Sequence, residues 1–413
     1  MKTQKILIIG GGVIGLMNAW YLSRAGHNVT VIDESDITDN TSFGNAGLLS
    51  AFEKDPLAHP GIITSTLKLM LMGRSPLSFS HVLDPFLYKW LVKFAASSTT
   101  QRLKKTLALF ERYGKMAMDG YEQLLKDDVR FEMHKDGLLL VYTDKKNYEA
   151  KLRQVGNNPY VEVLEKRDMG HTLPILVPSL LGGALLLERD AHIDPRSLME
   201  ALKYSLVENG VEIITNQRVL KLEKDSNKIT AAITDSNRYE ADSFFLATGA
   251  DTSLARDLGR KLMLIPAKGY SVTFDMEKFY RPRTATLFVD IFTAISPRRN
   301  DVRITSKLEL GANDRIPHQK VIDNMVATLK KYTIDFELMN PKSWAGLRPL
   351  TPNDMPLIGR DDQYQNLIYA TGLGWLGITM APAVAHILEE LVTNNLRNED
   401  SEDILLFSGF YQG

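Results

Sequence analysis

Cysteine is absent from the 413 residues. Its absence excludes disulfides, thiolate metal sites, a cysteine nucleophile and a flavin attached through cysteine. Net charge is nearly absent as well. The chain has 49 Lys and Arg against 50 Asp and Glu, a formal −1, which gives no global argument for nucleic acid. No stretch of about 18 uninterrupted apolar residues is present, so no transmembrane helix is expected. Lys2 and Lys5 precede an apolar run, but four glycines and Asn18 break it, so no export signal is expected. The eight histidines are scattered. None forms H-E-x-x-H or another short metal pair, so no metal site is expected. A G-x-S-x-G elbow is missing too, and a hydrolase has little support.

What is present begins at Lys5. The run Ile6 to Ile9 leads into Gly10-Gly11-Gly12-Val13-Ile14-Gly15, in which Gly10, Gly12 and Gly15 fit G-x-G-x-x-G. A helical stretch follows with Leu16, Ala19, Trp20 and Leu22 apolar, and Ala25-Gly26-His27 suits its end. A second β-rich run, Val29 to Ile32, ends at Asp33. The first glycine allows a tight turn, the second a close backbone approach to pyrophosphate, and the third close helix–strand packing. The helix N-terminus favours phosphate, and Asp33 can accept a ribose hydroxyl proton. This spacing predicts a nucleotide-binding βαβ unit. Thr41 to Gly47, small and polar, reads either as a loop against the ligand or as a surface turn.

Residues 61–105 differ in character. They hold Lys68, Arg74, Lys89, Lys93, Arg102, Lys104 and Lys105 against a single acid, Asp84. Apolar residues, Leu67 and Leu69 to Met72 among them, are interleaved. Phe86, Leu87, Trp90, Leu91 and Phe94 share one helical face. That face can lie on an anionic membrane or pack on its own domain. Glu111 to Lys126 reads as helix, Gly137 to Tyr142 and Ala184 to Leu187 as strands, and 174–183 as a loop. Asp194-Pro195 starts a helix that ends near Gly210. Val211 to Ile214 is a strand, and Gln217-Arg218-Val219 leads toward another. Ile229 to Thr234 and Ser243 to Leu246 are strand-like, the latter entering the small-residue turn Ala247 to Ala250.

Tyr270 to Phe274, Thr286 to Val289 and Val302 to Thr305 alternate without long helices between them. They predict a mainly antiparallel sheet with one open face, assigned to a substrate domain, with a helix over Val321 to Tyr332 beside it. Trp344 to Pro349 places Arg348 before a proline, which favours extended backbone. Leu367 to Ala370 is a strand. It runs into Gly372-Leu373-Gly374-Trp375-Leu376-Gly377, and a helix follows to about Val392. No further strand and acid follow, only the charged 396–403 stretch, so this second glycine motif is a helix start able to face negative charge. The expected fold is α/β and α+β. A discontinuous Rossmann-like FAD-binding domain takes residues 1–72, 190–260 and 345–413, and the substrate domain takes 73–189 and 261–344. FAD is favoured over NAD for two reasons. The terminal helix start suits a reduced flavin's N1–C2=O edge, and no second nicotinamide domain is present.

With these motifs placed, the chain resembles the D-amino-acid oxidase superfamily of FAD enzymes over nearly its whole length. IIGGGVIG, VTVIDES, TSFGNAG, FFLATGA, WAGLRPLTPNDMPLIG and ATGLGWLG carry the likeness. Within the superfamily it looks most like the bacterial FAD-dependent D-amino-acid dehydrogenases. The resemblance implies non-covalent FAD. Gly10, Gly12, Val13, Ile14 and Gly15 would wrap its pyrophosphate, and Asp33 with Glu34 would hold the ribose. Thr41, Ser42, Asn45, Gly47 and Leu48 would run along pyrophosphate and flavin. Val219 would meet the adenine and Gly249 would pass near the dinucleotide. Gly372, Gly374, Trp375, Leu376, Gly377 and Ile378 would face the flavin. Arg348 would pair with the substrate carboxylate. Tyr270 would be a second substrate contact, or else a sheet tyrosine packed by its ring. Leu49 stands where the family has a polar residue, so no polar contact is assigned there.

The implied reaction is hydride transfer from Cα of a D-amino acid, D-proline-type secondary amines included, to flavin N5. The imino acid then hydrolyses to a 2-oxo acid. Electrons would pass to a quinone or other carrier, and the protein is expected in the cytoplasm, either free or peripheral on the inner face of the cytoplasmic membrane. The alternatives are a glycine- or sarcosine-type oxidase that uses O2 and a non-enzymatic flavin-binding module.

Overall fold

The structure is a computed structural model that describes residues 2–38, 40–52, 56–64, 66 and 77–395. Of the basic, apolar segment, Leu67 to Met72 and Arg74 lie outside the described residues, as does the charged 396–403 stretch.

A six-stranded sheet forms the first layer. Its strands run Glu212–Ile214, Asn28–Ile32, Lys5–Ile9, Ser243–Leu246, Leu367–Thr371 and Leu357–Arg360 in spatial order. All neighbours are parallel except the last pair. Ile6, Leu7, Ile8 and Ile9 are buried on both faces, as a central parallel strand requires. On one face Val13–Arg24, Pro195–Glu208 and Gly377–Thr393 pack their apolar sides together with part of Thr100–Lys126. The other face is covered by the small sheet Lys221–Asp225, Lys228–Ile233 and Arg238–Tyr239, through Leu222, Ile229 and Ala232. Helix punctuation is as the residues suggest. The Asp194 carboxylate accepts from Arg196 N–H, Pro195 takes the first turn, and Gly210 follows at φ +78°. Gly374–Thr393 is apolar and long enough to cross a membrane by length and composition, but most of it is buried in this layer.

The second layer is a nine-stranded sheet. Met339–Leu350, Ile265–Asp275, Val302–Leu310, Thr293–Pro297, Thr286–Phe288, Leu138–Tyr142, Gly183–Leu187 and Val161–Leu164 follow in order, and Leu77–Phe79 pairs with Val302–Leu310. Most pairs are antiparallel; Thr286–Phe288 with Leu138–Tyr142, and the Leu77–Phe79 pair, are parallel. Met339–Leu350 runs through 345, where the sequence reading divides the chain. The expected open face is not found along Ile265–Asp275, which is buried at nearly every position. Gln319–Leu329 covers one side with Ile322, Met325 and Leu329. Pro85–Ser97 covers part of the other. There Leu87, Trp90 and Phe94 meet Ile265, Leu308 and Leu350, and Trp90 Nε1 donates to the Leu350 carbonyl at 3.1 Å. The apolar face considered for a membrane is therefore turned inward, the second of its two expected placements. Tyr88 and Val92, on the opposite side of the helix, are exposed, as is Leu83 just before it.

Candidate active site

The carboxyl ends of the parallel strands open into a cleft of about 1260 Å³, its solvent-filled mouth included. An open α/β sheet takes its ligands there. Gly10, Gly12, Val13 and Ile14 line it from the first turn; Asp33, Glu34, Thr41, Ser42 and Asn45 line it from the next segments. Val219, Gly249, Gly374, Gly377 and Ile378 complete the wall, together with Asn40, Gln217 and Arg348.

Two glycines of the first motif act on the protein's own backbone. Gly10 has φ +109°, and a Cβ there would come within 2.4 Å of the Ala247 carbonyl oxygen. A Cβ on Gly15 would sit 1.8 Å from the Gly10 oxygen, so Gly15 lets the helix pack on the turn rather than face the cleft. Val13 N–H, an early helix donor without an intrahelical partner, reaches Ser42 Oγ at 3.1 Å. Asp33 accepts from Gly11 N–H at 2.6 Å through one oxygen, and from the Ser35 N–H at 2.8 Å and hydroxyl at 2.6 Å through the other. It braces its turn while lining the cleft. Glu34 beside it lies 3.6 Å from Arg218 Nε.

The cleft fits a dinucleotide. Gly249 and Gly377 line it, and a Cβ built on either meets no protein atom within 4 Å, so bare backbone faces the ligand space. The start of Gly377–Thr393 borders the same cleft, where a helix N-terminus favours an anion.

Besides Gly15, five expected contacts lie off the cleft lining. Gly47, at φ +78°, packs against the Ile193 carbonyl, and Gly372, at φ +77°, packs against Leu357. Leu376 is buried in the core. Leu48 and Trp375 line a second cavity instead, and the Leu48 carbonyl accepts from Thr379 Oγ1 at 3.0 Å. Leu49 is wholly buried.

That second cavity is a chamber of about 1520 Å³, open solvent included, walled by the large sheet, by the 45–62 segment and by Trp375 and Thr379. Its wall is mostly apolar, with Leu140, Tyr142, Leu287, Phe292 and Trp375, and carries Lys307 and His59. Arg348 and Asn45 line both the chamber and the cleft. Arg348 stands where the two spaces meet. Its guanidinium lies over Gly269, where a Cβ would come within 1.8 Å of Nη1. It makes no hydrogen bond or ion pair with another described residue. A little of its surface is still exposed, yet burial pushes its pKa down to about 10. A desolvated cation with no anion beside it is costly, and an incoming carboxylate would supply the missing partner.

Tyr270 lines neither cavity. Arg348 pairs with Ala267, and Tyr270 points to the opposite face of its strand. There its hydroxyl donates to Glu309 Oε2 at 2.8 Å and its ring packs in the core under Gln319–Leu329. Burial, then Glu309, pushes its pKa well up. Of its two expected placements the ring-packed one is found.

Sequence reasoning missed Arg303. Its guanidinium donates to the Phe43 carbonyl, to the Asn45 carbonyl at 2.9 Å and to Thr273 Oγ1 at 2.9 Å. It ties the Thr41–Gly47 loop to the large sheet. Burial, with Arg298 nearby, holds its pKa down to about 9.

Residues 5–391 match the family model described as DAO, FAD dependent oxidoreductase. A protein of Helicobacter pylori named D-amino acid dehydrogenase is 43% identical over 409 residues, covering 99% of each chain. Two solved structures share the fold. L-proline dehydrogenase from P. horikoshii aligns over 100% of both chains with TM-score 0.75 at 17% identity. Glycine oxidase from Geobacillus kaustophilus aligns over 96% of each with TM-score 0.71 at 19% identity.

Proposed function

The chain belongs to the DAO family of FAD-dependent oxidoreductases, and from that premise we propose that it oxidises D-amino acids to 2-oxo acids through the imino acid. One observation carries the reading: Arg348, desolvated and without a carboxylate partner among the described residues, faces both the dinucleotide cleft and the apolar chamber. The Helicobacter pylori relative, similar from end to end, supports the D-amino acid class.

FAD, when bound, supplies a two-electron acceptor. The phosphate and ribose contacts proposed for it are Gly10, Gly12, Val13, Ile14, Ser42, Asp33 and Glu34; those toward the flavin are Asn45, Gly374, Gly377 and Ile378. Arg348 would hold the substrate carboxylate in a two-point pair, which fixes orientation as well as charge. Leu140, Leu287 and Phe292 would take the side chain and exclude water. Catalysis then comes mostly from orientation and electrostatics.

The test is an anaerobic screen of FAD-loaded protein against D- and L-amino acids, D-proline and N-methylglycine, followed by acceptor assays. Bleaching by D-amino acids with electrons delivered to a quinone is expected. Bleaching by L-amino acids alone would overturn the substrate class. Stoichiometric peroxide without quinone reduction would replace the dehydrogenase with an oxidase. Peripheral membrane contact is proposed for the exposed side formed by Leu83, Tyr88, Lys89 and Val92, where Leu83 is 88% and Val92 70% exposed. Flotation with anionic vesicles that is lost in Leu83→Glu/Val92→Glu supports it; equal flotation of the variant refutes it.

A further inference from the structure

Lys307 has no role in the reading so far, and three observations single it out. The first is its backbone. Lys307 lies within the strand Val302–Leu310 at φ +66°, the left-handed region that residues with side chains rarely adopt. The cause is a β-bulge. Lys268 pairs with Glu309 and Tyr270 with Ser306, so Lys307 and Leu308 together oppose Gly269. A regular strand sends successive side chains to opposite faces. Here the two bulged residues, Lys307 and Leu308, both line the chamber.

The second observation is electrostatic. No carboxylate lines the chamber among the described residues. The Lys307 amine makes no hydrogen bond or ion pair with another described residue. Burial lowers its pKa from the ordinary lysine value. Among the described residues, the charged and titratable groups around it are Arg348, His59 and Tyr142 on the chamber wall. Arg303 and Glu309 lie on its own strand, and Lys268 and Tyr270 on the paired one. Glu309 is engaged by the hydroxyls of Tyr270 and Ser80. The third observation is placement, since Lys307 and Arg348 share one chamber.

An amino acid arrives with its nitrogen as ammonium. Hydride can leave Cα only when the nitrogen has a lone pair to form C=N, so the ammonium must first lose a proton. We propose that Lys307 Nζ accepts that proton from a substrate whose carboxylate is held on Arg348. An N–H bond of the ammonium breaks and its electron pair stays on the substrate nitrogen; a new N–H bond forms with the lysine lone pair. FAD, when bound, would supply the two-electron acceptor for the Cα–H pair as the nitrogen lone pair closes C=N, and Lys307 would later return its proton to water. The proposal rests on the amino acid reading of the site. A strained backbone and a bulge are known ways of aiming a side chain at a reacting group.

The test uses FAD-loaded Lys307→Met and Lys307→Arg with D-alanine, each checked for flavin content. In the unaltered protein, kcat/KM should rise with pH through a limb that reports Lys307, protonated below its pKa and able to accept only above it. Both variants should fall by about 10²–10⁴-fold at pH 7. Their pH limb should move to the substrate ammonium's own pKa, and added ethylamine should restore part of the Lys307→Met rate. Binding of acetate above the limb, read from the flavin spectrum, should be unchanged. Arginine keeps the charge but cannot accept the proton, so normal turnover by Lys307→Arg would overturn the proposal. An unshifted limb without amine rescue would do the same, as would a defect confined to D-aspartate, which would make Lys307 a side-chain anchor. If no D-amino acid reduces the flavin of the unaltered protein at any pH, the functional reading itself fails.

Discussion

Arg348→Met removes the guanidinium and keeps most of the side-chain volume. Two opposite effects are expected. The folded-state pKa of about 10 lies below the ordinary 12.5, so folding disfavours the charged form. That cost is fully present below pH 10 and vanishes only above the unfolded value. At 1.36 kcal/mol per unit, the depression corresponds to at most about 3–4 kcal/mol. Since some of the side chain meets solvent, about 1–2 kcal/mol is the fairer figure. Methionine removes this cost, so Tm should hold or rise by about 1–4 °C. Substrate binding moves the other way. Breaking a buried carboxylate pair costs about 3–5 kcal/mol, or about 10²–10⁴ in kcat/KM at 1.4 kcal/mol per tenfold. Thermal unfolding at equal FAD loading and kcat/KM with D-alanine give the two readings. A Tm lower by more than about 5 °C would mean that Arg348 holds the fold together. A kcat/KM within about tenfold of the unaltered protein, 1.4 kcal/mol, would mean that it does not hold the substrate.

Two further substitutions act on Arg348 and the loop indirectly. Gly269→Ala puts a methyl group where Nη1 now lies. It should weaken acetate binding by about 1–3 kcal/mol, the usual cost of overpacking, with FAD content retained; unchanged affinity would show that the guanidinium has room elsewhere. Arg303→Met strips the Phe43 and Asn45 carbonyls of their donor. FAD affinity measured by fluorescence should fall by about 10-fold or more, consistent with about 1.5–3 kcal/mol for a hydrogen bond to a charged group. Unaltered affinity would show that the loop keeps its shape without the tie.

How much could be read from the sequence depended on how local the cause was. The βαβ unit was legible because strand, turn, helix and acid are contiguous, and Gly10 and Gly15 each answer to nearby backbone. Arg348 was legible from its motif, but its isolation and its place over Gly269 come from pairing between strands far apart in sequence. Lys307 and Arg303 gave no signal of their own. One depends on a bulge set by the register of two strands, the other on a sheet crossing to a loop 258 residues away. Tyr270 shows the opposite failure. Its segment was correctly read as a strand, but only the pairing with Met339–Leu350 reveals that it and Arg348 point to opposite faces. The helix Pro85–Ser97 was amphipathic on paper, and the large sheet took the face that a membrane could have taken.

The most direct measurement is anaerobic stopped-flow reduction of the FAD-loaded protein by D-alanine, α-deuterated D-alanine and L-alanine. Fast bleaching by D-alanine, a slower rate with deuterium at Cα and no reduction by L-alanine are expected. Equal bleaching by both enantiomers, or reduction without any isotope effect in the chemical step, would contradict hydride transfer from Cα of a D-amino acid.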